Sequence, residues 1–363
     1  MKRILTGMAA VLLAAISFLT CKADAISADH AILLDATTDR VLFEKDADSK
    51  ALIASTTKIM TALVVCEQTN VLDRVRIPKE AIGIEGSSMY LREGEVMTVQ
   101  ELLYGLMLHS GNDAAVALAI YCGGTVEGFA QLMNDKAHRL GLTGTHFENP
   151  HGLDSPMHYS TARDMAVLAA YAMENPIFAK TVSAKSVSAG GRTLRNHNKL
   201  LWRLEGADGV KTGFTKAAGR ILVSSATRQG RRLIAVTMND PNDWNDHISL
   251  LENGFTRFTT CDIVTAGACV GEVEVAGGDT DSVQLIADSD FTCALACDEK
   301  VEILLPKPGF VYAPIVEGEN AGFADICIDG KSVGKVPLSY GNSIEKVKEE
   351  KRSFWSEIWK GSR

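Results

Sequence analysis

Three short groups of residues in this chain could do chemistry together. Ser55-Thr56-Thr57-Lys58 stands directly before the apolar run Ile59–Val65. A serine and a lysine three apart on a helix share one face, so the amine reaches the hydroxyl. The start of such a helix leaves backbone N–H groups unpaired and presents the positive end of its dipole, which stabilises an oxyanion. The pair therefore suits a hydroxyl nucleophile attacking a carbonyl. Alone, the spacing is more often a capping serine followed by a solvated lysine, and roughly one or two such matches arise by chance at this length.

The second group, Ser110-Gly111-Asn112, interrupts a helical pattern and exposes short polar side chains at a turn. The third, Lys211-Thr212-Gly213, follows Asp208-Gly209-Val210 and reads as an edge strand. Gly213 would let a substrate backbone approach that edge closely. Each group alone is also an ordinary polar loop or glycine-containing strand.

The elements that must position these groups are legible in the periodicity. Lys58–Glu67, Val99–Ala119 and Val126–Leu140 predict helices rich in Leu, Met, Ala and Val. Ala31–Asp35 and Arg40–Glu44 predict a hairpin, and Arg220–Thr227 and Arg232–Met238 a second pair of strands with a turn at Gly230. Helices flanking an antiparallel sheet imply an α/β (α+β) layered core over residues 26–258. From Cys261 to about Leu338 short Val/Ile/Ala runs such as Gly271–Val275, Ser282–Ile286 and Val301–Leu305 alternate with Gly, Asp and Pro. Residues 259–341 therefore predict a small all-β sandwich domain. The remainder, 342–363, returns to a helical pattern from Ser343 to Lys360.

Composition sets the wider bounds. The chain has 363 residues, 46% hydrophobic and 23% charged, with a formal net charge of −8. It is long enough for two or three cores, and no dense Lys/Arg run points to a nucleic-acid partner. Lys2 and Arg3, an apolar stretch from Met8 to Leu19, and Ala23-Asp24-Ala25 read as a signal peptide over residues 1–25, with cleavage before Ile26 and export as the consequence. A retained membrane helix is the alternative, but the apolar stretch is shorter than the ~20 residues of a span. Cys21 would suit a lipoprotein site, although Thr20 is atypical before one. The eight cysteines are irregularly spaced with no Cys-x-x-Cys, so no metal site is expected. His151 and His158 read as loop scaffolding, and Phe129, Trp202 and Trp244 as packing.

In the order Ser-x-x-Lys, Ser-x-Asn, Lys-Thr-Gly, the three groups form the signature of penicillin-binding proteins and class A β-lactamases. The likeness extends to Ile32–Asp35, Gly86–Met89, Asn149–Asp154, Ser160–Met165, Asn196–Lys199 and Gly209–Arg220. On these residues the chain resembles the serine D-alanyl-D-alanine carboxypeptidases, the low-molecular-mass penicillin-binding proteins. Class A β-lactamases usually carry Asp in the middle of the second group. They also keep a deacylating glutamate in Glu-x-x-Leu-Asn, which is absent between Asn149 and Lys180. A lactamase or esterase on the same fold, and a non-catalytic wall-binding protein, are the other readings.

The resemblance implies a β-lactamase/transpeptidase-like domain, no cofactor, peptidoglycan stem peptides as substrate and β-lactam antibiotics as inhibitors. It makes Ser55 the nucleophile, Lys58 the general base and Ser110 a proton relay. Asn112 would hold the substrate amide, while Lys211, Thr212 and Gly213 align its backbone and carboxylate. The N–H groups of Ser55 and Phe214 would form the oxyanion hole. Some related enzymes carry an arginine after the strand that ends here at Met238, where this chain has Asn239-Asp240-Pro241-Asn242-Asp243; Arg220 is a substitute carboxylate clamp.

On a wheel of 100° per residue, Ile344, Val347, Phe354, Trp355, Ile358 and Trp359 fall within an arc of about 140°. The aromatic residues and basic neighbours predict an amphipathic helix lying on a membrane, with packing on the β domain as the alternative; the resemblance implies that the membrane is the cytoplasmic one, at its outer face.

Overall fold

The computed structural model describes residues 26–305 and 309–347. In chain order the first part contains strands β1 (His30–Asp35) and β2 (Arg40–Lys45), helix α1 (Lys58–Gln68), and strands β3 (Arg74–Arg76) and β4 (Val96–Thr98). Helices α2 (Val99–Leu108), α3 (Asn112–Gly123), α4 (Val126–Arg139), α5 (Ala162–Glu174) and α6 (Pro176–Ser183) follow. The part closes with β5 (Ser186–Ala189), β6 (Arg192–Arg195), α7 (Leu200–Arg203), β7 (Ala207–Thr215), β8 (Gly219–Arg228), β9 (Arg231–Met238) and α8 (Asp243–Arg257).

The central sheet has the order β2-β1-β9-β8-β7, and every adjacent pair in it is antiparallel. Both faces are covered, so its inner strands are apolar on both. Because side chains alternate across a strand, Ile32, Ile234 and Val236 enter the core beneath the helices, while Leu33, Leu233 and Ala235 enter a second core that includes Leu250 and Leu251 of α8. The expected second strand pair is present, and its two-residue turn has positive φ at both Gln229 (51°) and Gly230 (81°), as primed hairpin turns require. The helical pattern over Val99–Ala119 divides into α2 and α3 around Ser110 and Gly111. α1 runs through the middle of the helical half, and every residue from Lys58 to Cys66 in it is buried.

After α8 come β10 (Phe258–Val264), β11 (Cys269–Ala276), β12 (Ser282–Ala287), β13 (Phe291–Ala296), β14 (Val301–Leu304), β15 (Phe310–Tyr312), β16 (Asn320–Ile328) and β17 (Lys331–Tyr340). They form a β10-β13 ribbon and a six-stranded sheet, β14-β16-β17-β12-β11-β15. Arg40 on edge strand β2 ties the two parts together by donating to Glu299 at 2.8 and 2.5 Å and to the Ala294 carbonyl.

The expected signal peptide and residues 348–363 of the expected terminal helix lie outside the described residues. The start of that helix is corrected. Ile344 and Lys346 form isolated β-bridges with Ile315 and Gly278, and Ile344 is buried against Val275, Val283 and Ile315. Its apolar side chain completes the β domain's core.

Candidate active site

Ser55 occupies a 3₁₀ turn, Ala54–Thr57, that leads directly into α1. Ala54 holds a positive φ of 45°, a conformation a non-glycine residue keeps only when its surroundings impose it. Several contacts do so. Gly152, at φ +86°, lies so close that a Cβ on it would come within 1.8 Å of the Ala54 carbonyl oxygen. Thr57 Oγ1 donates to the same oxygen at 2.8 Å and lies 2.7 Å from His158 Nε2. The Glu148 N–H donates to His158 Nδ1 at 3.0 Å, so Nδ1 is unprotonated and Nε2–H donates to Thr57. Burial holds His158 neutral, its pKa lowered to about 4. The expected scaffolding histidine thus braces the turn that carries Ser55.

Lys58 lies one helical turn from Ser55, and its Nζ is 3.0 Å from Ser55 Oγ. Nζ also donates to Asn112 Oδ1 at 2.7 Å and to the His151 carbonyl at 2.5 Å. The side chain is fully buried. Burial, and secondly the neighbouring Lys211 cation, push its pKa well below the ordinary lysine value, with Asp113 opposing. A neutral amine has two hydrogens and one lone pair. With both hydrogens given to Asn112 and His151, the lone pair faces the Ser55 hydroxyl.

Asn112, the first residue of α3, therefore serves Lys58; its Nδ2 donates to the Glu85 carbonyl at 2.5 Å. Asp113, which the sequence reading did not single out, accepts from Ser88 Oγ at 2.6 Å and from the N–H groups of Met89 and Leu91 at 3.0 and 3.1 Å. It pins the Gly86–Met89 segment beside the nucleophile. Ser110, in the break between α2 and α3, has a φ of 63° and lines the same cleft.

The Lys-Thr-Gly group lies on β7, the edge of the sheet, as expected. Gly213 sits in a tight approach, since a Cβ there would lie 3.2 Å from the Ile53 carbonyl, 3.3 Å from the Ala54 Cβ and 3.3 Å from the Ser55 nitrogen, so a larger residue would push these neighbours back by a few tenths of an ångström. The glycine lets the strand lie against the nucleophile's turn, and Phe214 lines the same cleft as Ser55. Lys211 is buried and donates to the Thr212 carbonyl at 2.8 Å. Burial lowers its pKa to about 7.

Ser55, Ser110, Thr212, Gly213 and Phe214 share a cleft of about 350 Å³ with Ser87, His197, Lys199, Arg220, Ile221, Asp243 and Trp244. A larger cleft, about 510 Å³, lies along β2 and the β domain, but its serine, Ser332, donates to the Asp325 carboxylate and its lysine, Lys331, is not buried. Arg220 is not a free clamp, because its Nη2 donates to both Asp243 oxygens at 2.7 and 2.8 Å. Lys199 stands opposite with its Nζ 5.8 Å from the Trp244 ring centroid and, among the described residues, no carboxylate partner. Trp244, expected as packing, is thus part of the cleft wall.

The chain is similar to known proteins over both of its parts. The D-alanyl-D-alanine carboxypeptidase family model matches residues 18–242, and that of the penicillin-binding protein 5 C-terminal domain matches residues 258–346. The chain is 35% identical to D-alanyl-D-alanine carboxypeptidase DacC of Escherichia coli, covering 94% of this chain and 88% of that protein. It is 32% identical to DacF of Bacillus subtilis, covering 88% and 86%. Among solved structures, penicillin-binding protein 5 of Haemophilus influenzae superimposes with a TM-score of 0.74 at 33% identity, over 88% of this chain and 98% of that one.

Proposed function

Since this chain belongs to the D-alanyl-D-alanine carboxypeptidase family, we propose that it removes the terminal D-alanine from peptidoglycan stem peptides through a Ser55 acyl-enzyme, outside the cytoplasmic membrane. The observation that carries the reading is the buried Lys58 amine, aimed at Ser55 Oγ by two acceptors and made a base by its surroundings.

Lys58 Nζ takes the Ser55 proton as Oγ attacks the carbonyl of the penultimate D-alanine. The N–H groups of Ser55 and Phe214 stabilise the resulting oxyanion, each such donor contributing a few kcal/mol. Collapse breaks the C–N bond, and the proton passes from Lys58 by way of Ser110 to the departing amine. Water then cleaves the ester and restores Ser55. The strand edge at Thr212 and Gly213 aligns the substrate backbone. Because Asp243 occupies Arg220, the terminal carboxylate falls to Lys199 and Lys211. A β-lactam presents the same carbonyl, its ring opens on Ser55, and the acyl-enzyme persists.

Export through the expected leader places the enzyme with its substrate, and the residues beyond Val347 supply its membrane contact. The direct test is release of D-alanine from an acyl-D-Ala-D-Ala peptide, together with labelling by a fluorescent penicillin. Folded Ser55→Ala is expected to show neither; a label that persists on it refutes Ser55 as nucleophile.

A further inference from the structure

Beside the Ser55 cleft lies a second cavity of about 700 Å³, lined by His109, Thr193, Arg195, Asn196, His197, Lys199, Trp202 and Arg203. His197 and Lys199 line both spaces, so the two adjoin at these residues. The His109 ring stands 5.3 Å from that of His197, on the side of the second cavity.

Its lining is unusual for this molecule. The whole chain carries a net charge of −8, yet the cavity combines Arg195, Lys199 and Arg203 with no aspartate or glutamate. Among the described residues none of these three cations has a carboxylate within ion-pair distance, as is also true of Arg74, Arg76, Arg92 and Arg139, whereas Arg40, Arg163, Arg192, Arg220, Arg228, Arg231, Arg232 and Arg257 all do. Arg203 reaches only the Asn245 amide oxygen, at 3.3 Å. Trp202, expected as packing, is 45% exposed. Arg195 lies 5.3 Å and Lys185 5.8 Å from its ring centroid. Unpaired cations beside an exposed indole suit an anion attached to an aliphatic or sugar surface.

We propose that this cavity is an anion subsite that holds a carboxylate-bearing segment of the wall polymer, a stem peptide neighbouring the one being cut. The proposal rests on the peptidoglycan reading of the Ser55 cleft. The terminal D-Ala-D-Ala end occupies the Ser55 cleft, so the second cavity takes a carboxylate that lies farther away along the polymer.

Two substrates separate the levels. A short acyl-D-Ala-D-Ala peptide reaches only the Ser55 cleft, while a soluble uncrosslinked glycan strand bearing several stem peptides reaches both. In Arg195→Gln/Trp202→Ala/Arg203→Gln, penicillin acylation and both kinetic constants for the short peptide are expected to remain at wild-type values. KM for the strand is expected to rise roughly tenfold, the scale of losing two exposed ion pairs and a ring contact. Wild-type KM for the strand should rise more steeply with salt than the variant's, which keeps only the contribution of Lys199 and Lys211. Amidating the stem carboxylates should weaken strand binding to the wild type to the variant's level.

An unchanged strand KM in the variant overturns the proposal. So does a difference that survives amidation but vanishes once strand-linked phosphodiester polymer is removed, since the anion would then be a phosphate. Should the triple variant fail to take up penicillin, Arg203→Gln alone carries the same comparison. A wild-type protein that leaves the short peptide intact refutes the Ser55 reading instead, and so is told apart.

Discussion

Replacing Asn112 by aspartate tests the chemistry of the site with almost no change in shape. Its Oδ1 lies 2.7 Å from Lys58 Nζ. A unit charge at that distance, at an effective dielectric near 20, favours the ammonium form by ~6 kcal/mol, an upper bound. Even a quarter of this lowers the fraction of neutral amine about tenfold. The sign is fixed: a carboxylate stabilises the protonated lysine, so the base disappears at neutral pH and returns as pH rises. Stopped-flow acylation by a chromogenic cephalosporin across the range from neutral to alkaline should show at least a tenfold loss at pH 7. The rate should then climb about tenfold per pH unit as the amine deprotonates. The fold should survive at a cost of ~1–3 kcal/mol, because the new carboxylate faces the Glu85 carbonyl that Nδ2 now satisfies. Two results would refute the reasoning. Wild-type acylation at pH 7 would mean that Asn112 does not govern Lys58. A loss of the same size at every pH would mean that it acts on substrate alone.

Three further outcomes are expected. Lys199→Gln should raise KM for a free-carboxylate D-Ala-D-Ala peptide about fivefold, the scale of an exposed ion pair, and leave a C-terminal methyl ester unchanged; Arg220→Gln doing so in its place would restore Arg220 as the clamp. Lys211 is charged below its pKa of about 7, so kcat/KM for carboxylate-bearing ligands should fall as pH rises through 7, and a flat profile to pH 9 would exclude Lys211 from carboxylate binding. A chain ending at Val347 should keep its melting temperature and peptide hydrolysis but no longer sediment with anionic phospholipid vesicles. One ending at Gly341 should melt several degrees lower, because it lacks the buried Ile344, and intact protein that never binds vesicles would refute the anchor.

What the sequence disclosed, and what it concealed, divides along physical lines. Ser55 and Lys58 were legible because helix periodicity places them on one face whatever else surrounds them. Lys211–Gly213 was legible because a glycine ending a short β pattern belongs at an edge. The partnership of Arg220 with Asp243 was not, since it depends on how α8 docks on the sheet. Asn112 was expected to face the substrate, yet its side chain turns inward because α1 brings a buried amine to it. Ile344 fitted a helical stripe over a few residues, but its β-bridge to Ile315 is a long-range contact that no local pattern encodes. Trp202 read as packing but is exposed, because exposure of a tryptophan depends on neighbours distant in the chain, whereas Trp244 does pack on the second core while it also lines the cleft.

The two lysines explain why so much of the fold converges on one turn. Lys58 comes from α1 and Lys211 from β7, and both are buried. Two ammonium groups so placed repel each other and lack the hydration that each would need. Burial, and secondly the Lys211 cation, push Lys58 well below the ordinary lysine value. Lys58 is thereby the base, while Lys211, charged below its pKa of about 7, offers a positive charge to the substrate carboxylate. An arrangement this costly survives only where the surrounding structure over-determines it. Gly213 and Gly152 admit the close contacts, Asp113 pins Gly86–Met89, and His158 fixes Thr57. Gly152, Asp113 and His158 act through the segments around Ser55 without touching the substrate, while Gly213 both admits β7 to the nucleophile's turn and belongs to the strand edge that aligns the substrate.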